Sequence, residues 1–300
     1  MTGKHPYTRF EPSKLHRVIL LAVLLACVFT PCKRISAGFP VEQPGSRAIA
    51  LGYSGVSIPD AWSLFYNQAG LGYQEYAWIG VHHENRFITP ELNFSALGSI
   101  IPVRPGSLGI SIKRLGFSQF SQTKAGLAYG MKLMPTLSAG VQLNVHHVYI
   151  AGEYGSTAAF TAEGGILYIP FPDLAVGLHI LNPTRSKILR DERIPTIVDF
   201  GLAYTLGEKA LLTVGVEKNI DEKQSFKGGV EYTPLPNLAF RIGMATNPSL
   251  MCFGIGYSKG PIQISAAFTR HEYMGYTPHF TAAYQFGVKK KGLPDDSADQ

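Results

Sequence analysis

The residues of this chain that could do chemistry occur in a few short groups, and each fails a test of spacing. His82-His83-Glu84 offers two imidazoles and a carboxylate. A helical zinc site, however, needs its two histidines four residues apart so that both lie on one face. His146 and His147 are neighbours, and neighbours on a strand point to opposite faces, so they cannot chelate one ion. Ser54, in Gly52-Tyr53-Ser54-Gly55-Val56, has neither the full glycine pattern nor the preceding strand of a nucleophile elbow. Gly106 to Ile112, "GSLGISI", alternates as a strand and does not open a helix whose first amides could cradle phosphate. The sequon at Asn93-Phe94-Ser95 likewise falls within a strand. These patterns predict no catalytic residues, no metal and no cofactor.

The elements that carry these residues read as β-strands. From about Tyr76 onward apolar residues recur with period two. Leu238, Phe240, Ile242 and Met244 share one face, opposite Ala239, Arg241 and Gly243. Ile262, Ile264, Ala266 and Phe268 oppose Gln263, Ser265, Ala267 and Thr269, and Phe280, Ala282, Tyr284 and Phe286 oppose Thr281, Ala283 and Gln285. Fourteen such segments are predicted, centred near Ile79, Phe94, Ile110, Leu127, Val141, Ala162, Val176, Phe200, Val214, Gly229, Phe240, Phe253, Ile264 and Ala282. Each is about ten residues long, the length a tilted strand needs to cross a bilayer core. Links after even strands are tight and rich in Pro or Gly ("VRPGS", "TPLPN", "SKGP"). Several after odd strands are longer and polar ("YIAGEYGST", "LNPTRSKILRDERIP", "RHEYMGYTP"), although "TNPS" is short. That asymmetry matches an outer-membrane barrel with both termini on the short-turn, periplasmic side. A soluble β-sandwich or propeller also alternates and is the competing reading.

Composition agrees with a β-structure whose outer face is not in water. Only 16% of residues are charged, with 32 glycines, 15 tyrosines and 17 phenylalanines. The net charge of +6 belongs to the start of the chain: Lys4, Arg9, Lys14, Arg17, Lys33 and Arg34 lie in the first 37 residues, opposed only by Glu11. The remainder is close to neutral, which argues against a nucleic-acid partner. Val18 to Phe29 is an apolar run preceded by Lys14 and Arg17, and Ile35-Ser36-Ala37 supplies small residues for cleavage, so residues 1–37 read as an export signal. A transmembrane anchor and a lipoprotein box ending at Cys27 are the alternatives. Cys27 and Cys32 would leave with the leader, and Cys252 alone can make no internal disulfide.

If the apolar face meets lipid, the other lines a lumen bearing Lys113, Lys124, Lys132 and Glu163. It also bears Asp199, Glu217, Lys227, Glu231 and Arg241, which come from four consecutive predicted strands and could pair across them. Two readings stand: an ionic network that holds the lumen together, or a path for substrate or ions. Tyr284 and Phe286 close the last strand with the aromatic alternation that barrel-assembly machinery recognises, and residues 288–300 read as a polar, disordered tail.

The stretch between leader and barrel, residues 38–75, is not periodic. Asp60-Ala61-Trp62-Ser63 reads as a helix start, and Asn67 to Gly72 as a helix end or tight loop. Gly45 to Gly72 resembles the opening segment of the FadL-like and PorV/PorQ-like outer-membrane proteins. The matching residues are Gly45, Arg47, Gly52, Gly55, Asp60, Ala61, Asn67, Ala69, Gly70 and Leu71, while Gln68 replaces the family proline. "GGVEYTPLPNLAFRIGM" and "FGIGYSKGP" are similar to the PorV/PorQ branch. The resemblance implies an all-β, antiparallel transmembrane barrel of about 14 strands over residues 76–287, with a short N-terminal hatch inside the lumen. The hatch residues would be Gly45, Arg47, Asp60, Trp62, Phe65, Tyr66, Asn67 and Gly70. It also implies a Bacteroidota-like source and a location in the outer membrane, with its lipid and the assembly machinery as partners. Function divides by branch. The PorV/PorQ reading, binding or moving exported proteins in type IX secretion, is preferred and would use long loops such as Arg185 to Arg193. The FadL reading, passive transport of hydrophobic small molecules, predicts an apolar pocket under the hatch at Trp62, Phe65 and Tyr66.

Overall fold

The computed structural model describes residues 42–152, 155–188 and 193–287. The expected leader (1–37), the first residues of the expected hatch and the expected tail (288–300) lie outside the described residues. Fourteen antiparallel strands form one closed barrel in which every strand pairs with its sequence neighbours and the first pairs with the last. They are β1 (Trp78–Asn85), β2 (Asn93–Val103), β3 (Gly106–Gly116), β4 (Phe120–Met134), β5 (Leu137–Ile150), β6 (Gly155–Phe171) and β7 (Leu174–Leu181). There follow β8 (Ile197–Leu206), β9 (Ala210–Asn219), β10 (Ser225–Leu235), β11 (Leu238–Ala245), β12 (Leu250–Lys259), β13 (Ile262–His271) and β14 (Gly275–Gln285). All fourteen predicted centres fall within the corresponding strands. Closure pairs the backbone groups of both edge strands, which is what a sheet facing lipid requires.

Period two decides the two faces. Outward side chains are apolar and exposed: Val141, Leu143 and Val145 on β5, Phe240, Ile242 and Met244 on β11, Ile264 and Phe268 on β13. Leu143 is 67% and Phe160 73% exposed, values that only a lipid surround makes sensible for residues of this kind. Most inward positions are small or polar, apart from a buried apolar group on β1–β3 at Trp78, Phe94, Ile100 and Leu115.

Two expectations need correction. Strand length is not uniform: β4, β5 and β6 have 15, 14 and 17 residues, whereas β1, β7 and β11 have 8. The links after odd strands are also shorter than the polar stretches imply. β13 and β14 continue through Arg270, His271 and Gly275, so only 272–274 remain as loop. Polar residues beyond the lipid zone still pair as strand, because the backbone ladder does not depend on side-chain polarity. Among these links only 86–92 and 182–196 exceed five residues.

Candidate functional site

The chain preceding β1 lies inside the barrel. Its elements are a short helix α1 (Ser46–Ala50) and two 3₁₀ turns, Ala61–Phe65 and Gln68–Tyr73. Asn67 to Gly72 is therefore not a helix end but the start of a second turn, because the Asn67 side chain accepts from the Ala69 amide at 3.2 Å and caps it. Gln68 takes the first position of that turn, where proline is well tolerated. Its side chain donates back to the Leu64 carbonyl at 3.3 Å, so the turn forms without the proline.

The inner wall is shaped to this segment by missing side chains. A Cβ on Gly243 would strike the backbone of Leu51 and Gly52, on Gly229 the backbone of Leu51, on Gly140 and Gly130 that of Gln68, and on Gly177 that of Val56. These glycines sit on β11, β10, β5, β4 and β7, so the segment meets the wall on many sides. Polar contacts complete the fit: Ser54 Oγ lies 2.6 Å from Thr213 Oγ1, and Asn67 Nδ2 donates to Val56 O at 2.6 Å and Ile166 O at 3.3 Å. The small inward residues thus make room for backbone.

Between the segment and β1–β3 lies an aromatic core. Trp62 meets Trp78 edge-on at 5.0 Å and stacks near Phe65 at 5.8 Å, with Leu64, Tyr66, Leu71, Phe94, Ile100 and Leu115 buried around them. Among the described residues, the rings of Trp62, Phe65 and Tyr66 pack together in this buried core, and Trp62 also borders a turn-side cavity. Gly45, with φ 115°, brings its α-carbon against Trp62, and Gly70 packs on Ser63.

The expected lumen network divides in two. Toward the short turns, Arg47 forks onto Glu231 (Nε–Oε2 2.9 Å, Nη2–Oε1 2.6 Å) and reaches Asp60 at 3.3 Å. Asp60 accepts from the Tyr66 hydroxyl at 2.6 Å, and Arg241 Nε donates to Glu231 at 2.5 Å. This clamp ties α1 to both the second half of the segment and the wall. Burial alone would lower the Arg47 guanidinium pKa, but Glu231 and Asp60 outweigh it and hold the charge more firmly than usual. Toward the longer loops, Lys227 Nζ stands 2.6 Å from Glu217 and 3.6 Å from Asp199. Sequence reasoning joined Glu231 and Arg241 to this group; the segment, crossing at Leu51 and Gly52 beside Gly228 and Gly229, keeps them apart. Sequence reasoning also missed Arg47 as partner of Glu231, a pair 184 residues apart.

Further pairs line the loop-side half. Glu163 accepts from Lys124 (2.9 Å), Gln142 (2.7 Å) and Asn144 (3.1 Å), and Lys113 Nζ donates to the Glu42 carbonyl at 2.8 Å. On the opposite, short-turn side, Lys132 near the end of β4 lies over the Tyr73 ring at 4.5 Å. His82 and Glu84, dismissed on helical spacing, share the inward face of β1 and meet His279 of β14. Burial raises the Glu42 carboxyl to about 7, against the opposing pull of Arg86 and Lys113.

Among the described residues, two cavities of similar size lie on opposite sides of the segment. The loop-side cavity, about 240 Å³, is lined by Gln43, Tyr53, Arg86, Phe87, Lys227 and Leu250 among others. The turn-side cavity, also about 240 Å³, is lined by Arg47, Asp60, Trp62, Glu231, Arg241 and Ser265 among others.

No protein-family model matches the chain, and no curated protein does either. Solved structures do. The chain is similar to the Ralstonia pickettii toluene transporter TbuX, at 12% identity and TM-score 0.63, over 82% of this chain and 99% of that one. It is similar to the Pseudomonas putida toluene transporter TodX at 11% identity and TM-score 0.61, over 83% and 98%, and to a Pseudomonas aeruginosa FadL homologue at 12% and 0.59, over 83% and 100%. At such identities the likeness shows a FadL-like barrel fold.

Proposed function

We propose that this chain is a bacterial outer-membrane channel for small hydrophobic molecules, in which residues 42–75 are the moving part. The observation that carries the reading is the pair of cavities on opposite sides of the segment, which a shift of the segment would join. The apolar exterior supports a membrane location, and the likeness to barrels described as toluene transporters supports the class of solute. On this reading transport is passive.

The test is a reversible lock. Ser54 Oγ and Thr213 Oγ1 are 2.6 Å apart, so cysteines there can form a disulfide between segment and wall. In a Cys252→Ala background, S54C/T213C reconstituted in liposomes should take up toluene when reduced and lose about tenfold or more of that rate when oxidised. Equal uptake in both states would sink the moving-segment reading.

A second reading, in which the protein serves type IX secretion, rests on the resemblance of its motifs to the PorV/PorQ branch, and residues of those motifs also meet in the structure. Arg47 and Asp60 from the opening motif, and Glu231 and Arg241 from the later ones, meet in a single clamp. On that reading the oxidised lock leaves capture of exported proteins intact and uptake is absent in both states.

A further inference from the structure

We propose that His82, Glu84 and His279 form a binding site for a zinc-like divalent cation at the seam where the barrel closes. This does not depend on the transport reading. Glu84 and His279 are direct register partners on β1 and β14, and His82 stands two residues before Glu84 on the same inward face. All three are buried. Glu84 Oε2 lies 2.9 Å from His279 Nδ1 and 3.4 Å from His82 Nε2, and the three donor atoms fall within 4.8 Å of one another. A zinc ion bound about 2.0–2.2 Å from each ligand needs donors about 3.4 Å apart, so small side-chain shifts complete the set.

A second observation points to a ligand. His279 Nδ1 is buried and faces the carboxylate at 2.9 Å, yet forms no well-aligned hydrogen bond. Its other nitrogen is engaged by Thr269 Oγ1 at 3.1 Å, which orients the ring. A cation between the ring and the carboxylate satisfies both. Arg86 Nε donates to Glu84 Oε1, so the carboxylate has Oε2 left and would bind through one oxygen. Two imidazoles and one carboxylate favour zinc, cobalt or nickel over calcium or magnesium, which prefer oxygen ligands. The loop-side cavity, lined by Glu84, Thr269 and His279, admits the ion and leaves room for water at the open position. Loading has a local consequence: the Gly45 amide points at His82 Nδ1 from 3.5 Å, and a metal at Nε2 would place a proton there. The ion thus competes with one anchor of the inner segment.

The test uses tag-free protein in detergent, stripped with EDTA and dialysed against Co²⁺ or Zn²⁺ alone. One equivalent per chain is expected, with the visible absorption of a low-coordinate Co²⁺ centre. His279→Asn and Glu84→Gln should each weaken binding by tenfold or more, while His83→Asn and His147→Asn, on outward positions, should not. Folding of each variant is checked by its heat-dependent mobility on SDS gels. Sub-stoichiometric binding to the native protein, or equal binding to a folded H82N/E84Q/H279N variant, would overturn the site.

Discussion

Arg47 engages Glu231 through two nitrogens and Asp60 through a third, so one side chain joins three parts of the chain. Such charge-assisted bonds each contribute about 1.5–3 kcal/mol where water is partly excluded. Arg47→Ala should leave the barrel folded but free the segment, raising single-channel conductance in planar bilayers. A double-mutant cycle with Glu231→Gln should give a coupling of about 1–3 kcal/mol in unfolding by urea; a value near zero would show that the two groups act separately. Glu42 supplies a prediction in pH. Its carboxyl, raised by burial to about 7, keeps in the folded protein a proton that the unfolded chain has released. That contribution is fully present below the ordinary value of 4.5 and is lost as pH climbs through about 7. Glu42→Gln should match the native protein near about pH 4 and exceed its stability near about pH 8. Identical unfolding curves at the higher pH would refute the burial argument.

At the scale of elements, period two made the strands legible, because one face had to be apolar throughout. The same rule, applied to His82 and Glu84, would have put them together; the test used was a helix's spacing on a residue pair that lies on a strand. What the sequence could not supply is pairing fixed by closure. Glu84 meets His279, and Arg47 meets Glu231, only because the sheet returns on itself. The inward glycines were visible but read as part of a small-polar lumen, since nothing local says whether a gap is filled by water or backbone. Gly243→Leu tests the filled version. Its side chain would meet the backbone of Leu51 and Gly52, so the strand should persist while the segment is displaced and becomes open to protease. A segment equally resistant in the variant would mean that the wall does not depend on the gap.

For the molecule as a whole, the apolar outer face and the closed ladder predict a protein of the membrane fraction whose mobility on SDS gels changes on boiling. Recovery in a soluble fraction, without that change, would return the soluble β-protein to contention. Removing residues 45–72 empties the space between the two cavities, and conductance in planar bilayers should rise severalfold; an unchanged current would argue that the loops, and not the segment, close the bore.

The seam between β1 and β14 closes around a part of the chain made before either strand. Residues 42–75 lie against glycines spread around much of the wall, so they have to be in place while the sheet is still open, like a cask raised around its own stopper. The final strand therefore completes the stopper's seat as well as the wall. Transplanting a foreign stopper, or moving these residues behind β14 by circular permutation, should slow assembly far more than it alters the finished barrel.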